Sequence, residues 1–212
     1  MTRFRAPLLS LGSAALVLGT VGALGTADPQ YIPFLTRDMA AWAQVHPLTG
    51  LLSSLGVMLW VATGAICAFT ASLLWTSSRD IALFLASSSL ITFYLAADDM
   101  FMIHESWAPV YLGIGDTTVY AGLAAIMLGY VLRFARTLLS LDLVFFIAAI
   151  SLLGSSVLCD EIFEMLGIEP DAWGYLAEDG LKWLGIAAWS GFYLSSSAAL
   201  IDARGGRRGT IG

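Results

Sequence analysis

Apolar and polar positions along this chain fall into long blocks. Six stretches are almost free of charge: residues 8–26, 48–75, 81–103, 117–134, 143–158 and 181–200. About 20 such residues in a helix cross the hydrocarbon core of a bilayer. Inside a membrane only helices or a closed barrel satisfy the backbone. These runs are too long and too uniformly apolar for barrel strands. The expected fold class is therefore all-α, a polytopic membrane helical bundle of six transmembrane helices forming a single membrane domain over residues 1–212. Short polar turns at 76–80 and 135–142 make successive helices antiparallel neighbours.

Composition excludes the soluble alternative. The chain is 58% hydrophobic and 12% charged, against about 25% charged residues in a typical soluble domain. Charge then sets orientation through the excess of Lys and Arg on the cytoplasmic side. With the N-terminus inside, Arg3, Arg5, Arg79, Arg133, Arg136, Arg204, Arg207 and Arg208 all fall on one face with only Asp80, Asp142 and Asp202. The other 13 acids share the opposite face with Arg37 and Lys182. This predicts a multi-pass protein of the inner (plasma) membrane with both termini cytoplasmic. The basic tail at 204–208 reads as a topology anchor, with no nucleic-acid partner implied. Ala23-Leu24-Gly25 would pass as a signal-cleavage site, but a retained first helix is the expectation taken here.

The longest loop, 27–47, is expected to contain an interfacial helix started by Pro33, with Leu35, Met39 and Trp42 on one face. Cys67 and Cys159 lie at different depths, so a disulfide is not expected. An internal echo suggests repeated hairpins, 81–134 and 143–200. Asp98-Asp99-Met100-Phe101 resembles Asp160-Glu161-Ile162-Phe163, and Asp116, Gly122, Ala124, Ala125 and Tyr130 align with Asp179, Gly185, Ala187, Ala188 and Tyr193. Gly122 and Gly185 would then let helices approach closely.

Candidate chemistry sits at one level. Asp80 to Asp98 and Asp142 to Asp160 are each 18 residues, about 27 Å of helix. The outer ends of the third, fifth and sixth helices thus carry Asp98, Asp99 and Glu105, then Asp160, Glu161 and Glu164, then Glu178 and Asp179. On a regular helix Asp98, Met102 and Glu105 share a face. Glu178, Asp179 and Asp116 are expected to begin helices, where the dipole favours them. The acids ending the third and fifth helices gain nothing from the dipole, so they need cations, protons or a metal.

The available cations are few. Lys182 is the expected ion-pair partner of Glu178 or Asp160. His104 is a candidate ligand or proton acceptor beside Glu105, although it lies about 120° from Asp98 on a regular helix. One or two divalent cations held by Asp98, Asp99, His104, Glu105, Asp160, Glu161, Glu164, Glu178 and Asp179 would complete the compensation. Oxygen-rich donors favour calcium or manganese over zinc. No organic cofactor motif is present. Ser87, Ser88, Ser89, Thr92, Ser151, Ser155 and Ser156 either line a polar path or join helices. The expected function is cation- or proton-linked transport or sensing. The alternatives are a metal-dependent hydrolase or transferase acting on a lipid at the outer leaflet, and a non-catalytic subunit bound to another membrane protein.

Overall fold

The structure, a computed structural model, describes residues 5–209, with side chains described for 10–203. The orienting residue Arg3 lies outside the described residues, as do the side chains of Arg5, Arg204, Arg207 and Arg208. All regular structure among the described residues is helical. Six helices are long and apolar enough to cross a membrane, so the coarse reading is a multi-pass membrane protein. Contacts divide the chain into two compact units, one ending at Gly50 and one beginning at Leu51.

The first unit contains α1 (Arg5–Ala27), α2 (Tyr31–Thr36) and α3 (Met39–Ala43). The single interfacial helix expected over this loop is in fact two short ones. Arg37 is extended (φ −86°, ψ 150°) and separates them, so Leu35, Met39 and Trp42 do not form one helical face. Pro33 lies inside α2 rather than opening it. Phe34 meets Trp42 edge-on at 6.0 Å and ties the two together.

The second unit contains α4 (Leu51–Leu74), α5 (Arg79–Phe101), a π-helical segment (Ile103–Leu112), α6 (Asp116–Leu139), α7 (Leu143–Leu166) and α8 (Ala172–Gly209). Helices α4, α5, α7 and α8 form the packed body, and α4 lies against both α5 and α8. Large buried rings fill the centre: Trp60, Phe84, Trp189, Phe192 and Tyr193. Hydroxyls join the helices. The Ser88 hydroxyl donates to the Phe84 carbonyl at 2.7 Å. Tyr130 must then donate to Ser88, and Tyr193 to Tyr130, each at 2.7 Å. Trp189 Nε1 donates to Thr92, Ser89 donates to the Gly64 carbonyl, and Thr63 meets Ser190. On α5 the hydroxyls of Ser88, Ser89 and Thr92 are therefore interhelical joints.

Tyr130 and Tyr193, paired by the sequence echo, thus touch directly. The two hairpins nevertheless differ. Helices α7 and α8 pack along their length, whereas α6 meets α5 only sparsely. The buried residues of α6 are Tyr130, Phe134 and Leu138, all in its second half. Of the two glycines expected at close approaches, Gly122 has open space around it, while a Cβ at Gly185 would stand 2.7 Å from Leu153 Cγ and 3.0 Å from the Leu153 backbone nitrogen. Backbone cannot yield as a side chain can, so Gly185→Ala is expected to cost about 1–3 kcal/mol. Gly122→Ala should be neutral or stabilising. Unfolding of the two variants in detergent checks this difference. Both cysteines are free, Cys67 buried and Cys159 half-buried.

Candidate functional site

At one end of the second unit, α5 stops and reverses. The expected regular helix to residue 103 ends at Phe101, and Met102 takes a left-handed conformation (φ 51°) that is uncommon for a side-chain-bearing residue. The following turn is π-helical, with the Trp107 N–H reaching the Met102 carbonyl at 3.1 Å. Pro109 inside this segment carries no N–H and cannot support an ordinary ladder there. Glu105 consequently does not continue the Asp98 face.

The break carries His104 back onto Asp98. Asp98 Oδ1 accepts the His104 backbone N–H at 3.1 Å, and Asp98 Oδ2 accepts from His104 Nδ1 at 2.6 Å. His104 Nε2 stands 3.4 Å from Glu105 Oε1. The Tyr120 ring of α6 covers the imidazole at 4.9 Å. Burial alone would lower the His104 pKa, but hydrogen bonds to Asp98 and Glu105, helped by their charges, raise it from 6.5 to about 9. The same hydrogen bond from His104 holds the Glu105 carboxyl below its usual range. The raised pKa favours the imidazolium form of His104 at neutral pH, lying between the Asp98 and Glu105 side chains.

Asp99, one step round the helix, faces another way. Its side chain is buried against Lys182 Nζ at 2.5 Å and accepts from Trp60 Nε1 at 3.0 Å. Lys182 therefore pairs with Asp99 and not with the expected Glu178 or Asp160. The register of α8 also differs from expectation. The helix begins at Ala172, capped by Asp171, which accepts from the Trp173 and Gly174 N–H groups at 3.1 and 2.8 Å. Glu178 and Asp179 thus lie inside α8 and do not begin it. Asp116 does open α6.

A cavity of about 470 Å³ joins these groups. Its polar end holds Asp98, Asp99, His104, Glu105, Asp160, Glu178 and Lys182. Its walls are apolar and come from both α6 and α7, through residues such as Leu123, Met127, Ile150 and Leu153. Asp160 and Glu178 have no hydrogen-bond or ion-pair partner among the described residues. Five carboxylates therefore face two cationic groups around one space.

The remaining acids are elsewhere. Glu161 is half-buried off the cavity, Glu164 is exposed, and Asp179 borders a much smaller recess with Asp99 and Lys182. Among the described residues, no three His, Cys, Asp or Glu side chains are grouped to hold a metal ion. Asp98 Oδ2 and His104 Nδ1 are engaged with each other, whereas Asp160 and Glu178 keep their carboxylate oxygens free of protein partners among the described residues. Sequence reasoning missed Trp60, and it named Ser156, which lines the cavity, only as a hydroxyl of a polar path or a helix joint. Ser156 sits one helical turn before Asp160, on the same face, a spacing that the sequence already contains.

No curated protein and no solved structure matches the chain. A family model described as a domain of unknown function (DUF8692) matches residues 8–196, and the chain belongs to that family.

Proposed function

We propose that this chain is a plasma-membrane protein, both termini cytoplasmic, whose outward-facing cavity binds a cation in exchange for a proton held at His104, in the service of cation-linked transport or sensing. The observation that carries this reading is the Asp98–His104–Glu105 unit on the wall of a cavity in which two further carboxylates, Asp160 and Glu178, lack partners. The surplus of negative charge draws a cation in. A cation beside Asp160 or Glu178 then repels the imidazolium and lowers its pKa, so that binding and proton release become linked in both directions. The orientation rests on Arg79, Arg133 and Arg136 at the helix ends opposite the cavity.

Hydrolysis of a lipid at the outer leaflet draws on the same Asp98–His104 pair. An imidazole with a pKa of about 9 is already protonated at pH 7, however, and makes a poor general base there. That favours exchange over catalysis.

The test is proton release from purified protein in a weakly buffered solution at pH 8, followed with a pH dye. Sodium, calcium, manganese and an alkylammonium are added in turn. At least one of these cations is expected to release up to one proton per chain from the wild type and none from His104→Gln. Release that is absent throughout, or equal in the variant, overturns the proposal.

A further inference from the structure

We infer that the cavity takes an amphiphilic organic cation, with an ammonium head between Asp160 and Glu178 and an apolar body lying between α6 and α7. This rests on the cation reading above and names the kind of cation. Three observations carry it.

The first is shape and lining. A volume of about 470 Å³ falls among cavities that enclose a small organic molecule. A bare ion with its first water shell would need only the polar end. The rest of the space is bounded by aliphatic side chains, which reward burial of an apolar body.

The second is Ser156. Its side chain is 6% exposed, it lines the cavity, and its hydroxyl has no hydrogen-bond partner among the described residues. Among the described residues the sealed side-chain atom without a partner is Ser197 Oγ, so the Ser156 hydroxyl opens onto the cavity, free to meet what occupies it. Standing one turn from Asp160 on the same face, it is placed to answer a polar group next to the ammonium.

The third is access. Helices α6 and α7 both line the cavity yet scarcely touch each other. Gly154 of α7, which lines the cavity, has nothing within 4 Å of where a Cβ would stand. A membrane-dissolved amphiphile can therefore enter sideways, bringing its head to the level of the carboxylates.

The test uses full-length protein in lipid nanodiscs and labelled dodecylammonium displaced by the unlabelled compound. Gly154→Leu fills the apolar part of the cavity while leaving every carboxylate in place. Ala124→Leu does the same from the α6 wall and serves should the first variant fold poorly. Saturable binding to the wild type is expected, weakened at least tenfold by either leucine and by Asp160→Asn with Glu178→Gln. Dodecanoate should not compete, because the surplus of carboxylates repels it. Absence of saturable binding, unchanged affinity in folded leucine variants, or competition by dodecanoate overturns the inference. Proton release driven by sodium, calcium or manganese would survive those failures, so the broader reading is judged separately. Binding of dodecylammonium without any proton release would uphold this inference and sink the exchange.

Discussion

Lys182→Met is expected to destabilise the bundle by about 3–5 kcal/mol, the range for stripping one partner from a buried ion pair. The reason lies with Asp99 more than with the lysine. The Asp99 side chain is 8% exposed, whereas Lys182 retains 33%. Removing the ammonium leaves a carboxylate deep in the protein with only the Trp60 indole as donor. Asp99→Asn alone should cost less, since an amide oxygen can still accept from Trp60. The double variant Lys182→Met with Asp99→Asn should recover much of the loss, and a double-mutant cycle in equilibrium unfolding measures the coupling. A loss below about 1 kcal/mol for Lys182→Met would place the pair with exposed salt bridges and contradict its structural role.

Asp98→Asn should act differently, through both stability and its pH dependence. His104 loses its strongest acceptor, and burial then dominates, so its pKa falls from about 9 back toward or below 6.5. In the wild type the folded-state pKa is raised above the unfolded value. Its contribution is full below pH 6.5 and is lost as pH rises through about 9. Wild-type stability should therefore decline across that window while Asp98→Asn stays nearly flat. At pH 6 the variant should be weaker by about 1.5–3 kcal/mol, the worth of a charge-assisted hydrogen bond. Equal pH profiles for the two proteins would refute the assignment.

The membrane spans were legible because hydrocarbon thickness fixes helix length, and an apolar run of that length has few other uses. The level of the acids was legible for the same reason, since Asp98 and Asp160 each lie 18 residues beyond an acid at the opposite helix end. The helix-dipole argument called for cations, protons or a metal at the end of α5, where His104 and Lys182 stand against Asp98 and Asp99. What it could not identify was the partner of each acid. Asp98 and Asp99 differ by about 100° around the helix, which sends one to His104 and the other to Lys182. The first pairing further depends on the left-handed turn at Met102, a residue whose side chain gives no hint of positive φ. A regular helix continued through residue 102 separates His104 from Asp98, and this was the geometry the sequence implied. The extension of α8 back to Ala172 was hidden because 172–180 mixes Trp, Tyr and Gly with acids, while its signal, Asp171 after Pro170, is a short cap. The cavity depends on α6 standing away from α7, which no local pattern records.

The most direct measurement is an NMR titration of the His104 imidazole in isotope-labelled protein, with His46→Gln removing the other histidine. The account predicts a pKa near 9 without ligand, and a clear fall when a cation that releases protons is added to saturation. A value near 6.5 that does not respond to any such cation would contradict the central claim that His104 holds the exchangeable proton of this site.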